Sequence, residues 1–222
     1  MTQPHINALL FDLDGTLVDT APDLIAALHE ALAEAGLGCM SNDALLRAQA
    51  SNGSLAMINA AAPQCSASFQ EELRQRMLRH YQHINGAKAR LFDGLPALLD
   101  EARAQGMALG VVTNKPALFT RPLLGKLGLY GQLQSVISAD TTCFRKPHPA
   151  PMLLAAQQLQ QPPSRILYIG DAQRDIVAAK AAGMPSAAAL WGYINATDDP
   201  IAWQADWLLQ QPSHLTAMLA SP

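Results

Sequence analysis

A short apolar run, Ile6 to Phe11, passes directly into Asp12-Leu13-Asp14-Gly15-Thr16. A run of this length that ends in polar and turn residues predicts a buried strand rather than a helix. The carboxylates then sit just past the strand's carboxyl end, where open α/β sheets place their ligands. Two acids two positions apart repel when both are ionised, and a divalent cation or a proton on one of them relieves that cost. Taken alone, the same residues suit a helix N-cap or a turn with solvated acids.

The later half of the chain sets the fold class. From Leu91 onward, helical stretches alternate with apolar strands: helix Leu95 to Ala104, strand Met107 to Val112, helix Ala117 to Leu127 and a short strand at Val136 to Ser138. Helix Met152 to Leu159, strand Ile166 to Ile169, helix Ile176 to Ala182 and strand Ser186 to Leu190 continue the rhythm. This alternation predicts an α/β fold with a Rossmann-like parallel sheet and helices on both faces. Between Asp19 and about Arg90 the pattern is helical, with no strand. Asp23 to Ala35 carries a Leu24, Leu28, Leu32 stripe closed by Gly36, and a second helix starts after Ser41. Ser68 and Glu71 read as a capping box for a helix with Phe69, Leu73, Met77 and Ile84 on one face. Gly53 and Pro63 divide the block. The expected organisation is therefore a catalytic core from residues 1–18 and 91–222, with residues 19–90 inserted as a helical cap.

Composition narrows the functional classes. Half of the 222 residues are hydrophobic and 15% charged, so a large core can be buried. A net charge of −3 without Lys/Arg runs, and 5% aromatics, argue against nucleic-acid binding. Cys39, Cys65 and Cys143 fit neither a disulfide framework nor a CxxC metal site, and predict reduced thiols in a cytoplasmic protein. No 18-residue apolar span predicts a membrane helix.

Polar residues stand at the ends of the later strands. Thr113 and Asn114 follow Val112, where a hydroxyl and backbone N–H groups could cradle an anion or simply cap the next helix. Lys146 stands before a proline-rich turn, as a phosphate-neutralising cation or as a surface lysine; Arg145 reads as a surface residue. Asp171 and Asp175, four apart at a helix start, either share one face or complement the helix dipole.

The set DLDGT, Thr113-Asn114, Lys146-Pro147 and Gly170-Asp171 with Asp175 resembles, in order, the four motifs of the haloacid dehalogenase superfamily, most of whose members are Mg²⁺-dependent phosphatases. The resemblance covers essentially the whole chain, and the helical insertion resembles the cap of phosphoglycolate phosphatase relatives. It implies Asp12 as nucleophile and Asp14 as general acid/base. Thr113, the Asn114 amide and Lys146 would hold the phosphoryl group. Mg²⁺ would be bound by Asp12, the Asp14 carbonyl and Asp171, with Asp175 in support. The implied partner is a small phosphorylated metabolite. A dehalogenase lacks an acid two positions after the nucleophile, so Asp14 argues against that activity. A phosphosugar mutase keeps both acids, and a noncatalytic binding protein on this fold is the alternative from another class.

Asn52-Gly53-Ser54 resembles a substrate-facing cap loop, or is an ordinary turn between helices. Trp191-Gly192-Tyr193-Ile194 and the acids and Trp203 after it resemble the C-terminal part of N-acetylmuramic acid 6-phosphate phosphatases, although a Trp/Tyr cluster packed behind the sheet explains them equally. Both that ester and 2-phosphoglycolate carry a carboxylate, which Arg47 or Arg74 could meet.

Overall fold

The computed structural model describes residues 5–219. The first strand, β1 (Ala8–Phe11), is completely buried. Leu9 and Phe11 enter one apolar cluster with Leu98 and Leu123, while Ala8 and Leu10 enter another with Met152 and Tyr168. Burial on both faces is why the run is continuously apolar rather than alternating. The chain continues through β2 (Val18–Asp19) into helices α1 (Ala21–Glu34), α2 (Asp43–Gln49), α3 (Ser54–Ala61) and α4 (Ala67–Ile84). It returns through β3 (Arg90–Leu91). Then follow α5 (Leu95–Ala104), β4 (Ala108–Val112), α6 (Ala117–Lys126), β5 (Ser135–Ile137), α7 (Ala150–Leu159) and β6 (Ile166–Gly170). The last elements are α8 (Gln173–Ala181), β7 (Ser186–Ala189), β8 (Trp207–Leu209) and α9 (Ser213–Leu219).

Six strands pair in the order β5-β4-β1-β6-β7-β8, all parallel. The α/β fold with a parallel sheet is thus the one the strand-helix rhythm predicts. Helices α1 to α4 pack around their own apolar cluster, which includes Leu28, Met57, Leu73, Met77 and Tyr81. The antiparallel pair β2–β3 brings the entry and exit of this helical stretch together. The buried Asp23 carboxylate fastens the same place by accepting the backbone N–H groups of Gly86, Lys88 and Ala89 at 2.9, 2.8 and 3.1 Å.

Three local expectations change. Helix α4 is capped by Ser66, whose extended backbone lets its Oγ accept the Phe69 N–H at 3.3 Å. Ser68 Oγ pairs with Ser66 Oγ and Glu71 with Arg74, so the Ser68/Glu71 capping box does not form. The stretch read as strand-free contains β2 at its start and β3 at its end. Strand β8 falls outside every element expected from the sequence.

Candidate active site

Strands β4, β1 and β6 are neighbours, so their carboxyl ends bring Thr113, Asp12 and Asp171 to one edge of the sheet. Parallel pairing in register does this without further help: Phe11 lies between Val111 and Ile169. Asp12, Thr113, Lys146, Asp171 and Asp175 are all buried.

Lys146 comes from the loop between β5 and α7. Its ammonium contacts Asp12 Oδ1 at 2.9 Å and Asp175 Oδ1 at 2.8 Å, and donates to the Val112 carbonyl (2.8 Å) and the Tyr168 hydroxyl (2.7 Å). Asn114 fixes the lysine's backbone: its Nδ2 donates to the Lys146 carbonyl and its Oδ1 accepts the Lys146 N–H. Side chain and main chain of Lys146 are therefore both held, which leaves its charge in one place. The Thr113 hydroxyl accepts the Lys115 N–H at 3.1 Å.

Asp171 lies in the turn before α8, whose N-cap is Ala172, so the two fourth-motif acids meet across a turn rather than on a helix face. The Asp175 carboxylate accepts the Ala172 N–H at 3.0 Å. Asp171 accepts hydrogen bonds from the Tyr193 N–H (2.8 Å), the Ser51 hydroxyl (2.8 Å) and the Thr16 hydroxyl (3.3 Å). Burial, reinforced by Asp12 and Asp175, pushes its pKa up to about 7. Asp175 is also raised, by burial above all, with Lys146 pulling the other way.

Carboxylate oxygens of Asp12, Asp171 and Asp175 lie within 4.8 Å of one another. The Ser51 hydroxyl touches both Asp171 Oδ2 and the Asp14 carbonyl (3.3 Å), so that carbonyl faces the same spot. Gly15 and Gly192 permit this closeness: a Cβ at Gly15 would come within 2.2 Å of Asp171 Oδ2, and one at Gly192 within 2.3 Å of Asp171 Cβ. Hard oxygen donors with excess negative charge, and an acid that burial disfavours as an anion, fit Mg²⁺. The Asp14 side chain does not join this group. Its Oδ1 accepts from the Lys115 ammonium at 2.8 Å and the Thr20 hydroxyl at 2.5 Å. Only the carbonyl of Asp14 is placed to meet a metal.

A cavity of about 540 Å³ opens over these groups, with Asp12, Asp14, Thr113 and Asn114 on one side and Ser51, Asn52, Gly53, Ser54 and Arg74 on the other. The Asn52-Gly53-Ser54 turn therefore faces the site. Arg74 lines the cavity, but Arg47 binds Asp19 at 2.9 Å instead. Arg145, read as a surface residue, also borders the cavity.

Ser51, Arg174 and Tyr168 were not singled out in the sequence. Ser51 reaches Asp171, and Arg174 from α8 donates to the Ser51 carbonyl at 2.6 Å, tying the helical side to the sheet side. Tyr168 holds Lys146. Trp191 Nε1 donates to the Thr16 carbonyl (3.0 Å), and the Tyr193 hydroxyl donates to Asp19 (2.7 Å) while accepting the Ala21 N–H (2.8 Å). The aromatic segment after β7 thus buttresses the first-motif loop. The sequence marked this segment through its resemblance or as an aromatic cluster behind the sheet; its contacts with Thr16, Asp19 and Ala21 set it against the first-motif loop instead.

Comparison with known proteins agrees with this arrangement. The sequence profile of the haloacid dehalogenase-like hydrolases matches residues 9–189. A phosphoglycolate phosphatase of Xanthomonas campestris pv. campestris is 44% identical over 215 residues, covering 97% of each chain. An N-acetylmuramic acid 6-phosphate phosphatase of Pseudomonas aeruginosa is 40% identical over 220 residues, covering 99% of this chain and 97% of the relative. Among solved structures, a predicted phosphoglycolate phosphatase from Haemophilus somnus 129PT superposes with a TM-score of 0.85 at 26% identity, over 97% of this chain and 99% of that one. With the profile spanning β1 to β7 and four acids and a lysine gathered at its strand ends, the chain belongs to the haloacid dehalogenase-like hydrolase family, as an enzyme of its phosphatase branch.

Proposed function

We propose that the protein hydrolyses a phosphate monoester bearing a carboxylate, through an aspartyl-phosphate on Asp12. The observation that carries this reading is the cavity itself. Its floor holds Asp12 against a fixed lysine, and Asp14 stands beside it with Oδ1 occupied by Lys115 and Thr20. Residues 19–90 serve as the cap over this floor.

Asp12 attacks phosphorus; the Asp12–phosphorus bond forms as the bond to the ester oxygen breaks. Asp14 delivers a proton to that departing oxygen, then takes one from the water that cleaves the acyl phosphate and releases inorganic phosphate. The Thr113 hydroxyl, the Asn114 N–H and Lys146 hold the phosphoryl oxygens as charge shifts onto them. Asp12, the Asp14 carbonyl and Asp171 would hold Mg²⁺, with Asp175 securing Lys146. Bound there, Mg²⁺ supplies Lewis-acid neutralisation of charge on the phosphoryl oxygens. The cap turn and Arg174 exclude bulk water from the floor.

Lys146→Ala is expected to lower kcat by roughly 10²–10³, the loss typical of one preorganised oxyanion donor. Thr113→Val should lose less, because backbone N–H groups beside it remain. Steady-state kinetics on both variants, with circular dichroism to verify the fold, checks this. Negligible loss at both positions would move the phosphate pocket elsewhere.

Cavity size favours the larger of the two esters that the relatives' names suggest. About 540 Å³ lies within the roughly 300–1,000 Å³ that encloses ligands of drug size, which suits an amino-sugar phosphate better than a two-carbon acid. Phosphate release should therefore give a higher kcat/KM for N-acetylmuramic acid 6-phosphate than for 2-phosphoglycolate. N-acetylglucosamine 6-phosphate, without the lactyl carboxylate, should fall at least about tenfold below the former, about 1.4 kcal/mol. A preference for 2-phosphoglycolate overturns the choice of sugar ester. Absence of phosphate release from all three overturns the proposed function.

A further inference from the structure

Among the described residues, one buried hydroxyl on the cavity wall has no hydrogen-bond partner: that of Tyr81. Tyr81 is 1% exposed, on the face of α4 that packs against α1 and α6, and its ring tilts against Phe119 with centroids 5.3 Å apart. Leaving such a donor unpaired in the interior is costly, so an orphan hydroxyl beside a ligand cavity calls for an explanation. Its neighbour is Lys115, whose ammonium sits 4.7 Å from the centroid of the Tyr81 ring. That ammonium has three N–H donors; Asp14 Oδ1 takes one and the Tyr81 oxygen stands beside another, so at least one N–H and the Tyr81 O–H itself have no acceptor. The cavity wall next to Asp14 therefore carries two underused donors, one of them a full positive charge, away from the solvent that would screen it.

We propose that Tyr81 and Lys115 form the subsite that binds the substrate's carboxylate, with the Tyr81 hydroxyl and the Lys115 ammonium both donating to it. The assignment rests on the phosphatase reading and gives it a specificity device. An anion placed there satisfies the orphan hydroxyl and gives a charge-assisted bond in a low-dielectric wall, where such bonds are strongest. Both groups stay in donor form at neutral pH. Burial lifts the Tyr81 pKa to about 12, although Lys115 pulls against it. Lys115 is held as an ammonium by the Asp14 carboxylate, whose Oδ1 lies 2.8 Å away.

Other cations on the wall are weaker candidates, and Arg145, which borders the cavity, is exposed to solvent that screens it. Arg74 already spends two N–H groups on Glu71, at 2.7 Å each, and that bidentate contact, with Gln75 adding to it, holds the Glu71 carboxyl down at about 2. Arg174 is committed to the Ser51 carbonyl. Lys115 also stands beside Asp14, the group placed to protonate the leaving oxygen. A carboxylate on the leaving group thus comes within its reach whether it belongs to a glycolate or to a lactyl-bearing sugar.

Tyr81→Phe tests the subsite with one atom. Each carboxylate ester is paired with a carboxylate-free counterpart: N-acetylmuramic acid 6-phosphate with N-acetylglucosamine 6-phosphate, and 2-phosphoglycolate with ethyl phosphate. In the pair the wild type discriminates, the ratio of the two kcat/KM values should fall about tenfold in Tyr81→Phe. The melting temperature should stay level or rise, because an unpaired hydroxyl has been removed. An unchanged ratio overturns the subsite and leaves the phosphatase reading standing, as does a wild type that hydrolyses the esters without discriminating in either pair. A fall in melting temperature of several degrees with equal losses on both esters of a pair would assign the hydroxyl a structural role instead. A wild type that releases phosphate from none of the four overturns the proposed function and the subsite with it.

Discussion

Asp12→Asn is expected to keep the native circular dichroism spectrum and lose turnover by several orders of magnitude. The carboxylate's replacement is nearly isosteric, and the amide can still accept the Leu13 N–H that now reaches Asp12 Oδ1 at 2.7 Å. What it cannot do is form an acyl phosphate, so the covalent route closes while the fold stays. One buried negative charge also disappears beside Asp171 and Asp175, which relieves repulsion that burial makes expensive. Against this, Lys146 loses one of its two carboxylate partners and keeps Asp175, so the variant should stay close to the wild type in stability without metal. Near wild-type phosphate release from a well-folded Asp12→Asn would remove Asp12 from the role of nucleophile.

Chelation should abolish activity reversibly and should also change the pH dependence of stability. The folded-state pKa of Asp171 is raised to about 7 from an ordinary value of 3.8, so the folded protein binds more protons than the unfolded chain between those values. Without metal, its penalty is absent below about pH 4, grows as pH rises and is complete above about pH 7. At 1.36 kcal/mol per pKa unit the span is on the order of a few kcal/mol, shared with the neighbouring acids. A divalent cation favours the ionised form and cancels the slope. Thermal melts from pH 4 to 8 with EDTA and with Mg²⁺ should diverge as pH rises, with the Mg²⁺ curve on top. Parallel curves, or full turnover in EDTA by protein free of bound divalent ion, would contradict a metal at Asp12 and Asp171.

The sheet and the main motifs were readable because both obey short-range rules. A buried strand is a short apolar run, and a site at its end follows within one or two residues, so Asp12, Thr113 and Asp171 could be placed from local pattern alone. Strands β2, β3 and β8 are two or three residues long, too short for any periodicity to register. The helix-face reading of α4 named Phe69, Leu73, Met77 and Ile84, whereas the structure buries Leu73, Met77 and Tyr81. Tyr81 falls on the same stripe, yet only its meeting with Lys115, supplied from the far side of β4, gives it a chemical meaning. Arg174 and Ser51 are alike in this: each is an unremarkable polar residue until the fold sets helix α8 against the turn before α3. Contacts between distant segments leave no spacing in the sequence to read.

The position of β1 has a consequence for how the chain is assembled. It precedes both of its partner strands in the chain and lies in the middle of the sheet, with Ala8 beside Ala108 on one edge and Ile166 on the other. During synthesis it has no strand to join until β4 emerges, and its second edge stays open until β6 does. Closing so long a connection is normally slow and leaves an apolar edge exposed. Here the intervening helices carry their own apolar cluster, and β2–β3 with the Asp23 carboxylate draws the two ends of that stretch together. Once those helices have packed, the gap between β1 and β4 is short in space although long in sequence. The segment that shapes the cavity is thus also the one that lowers the entropic cost of completing the sheet.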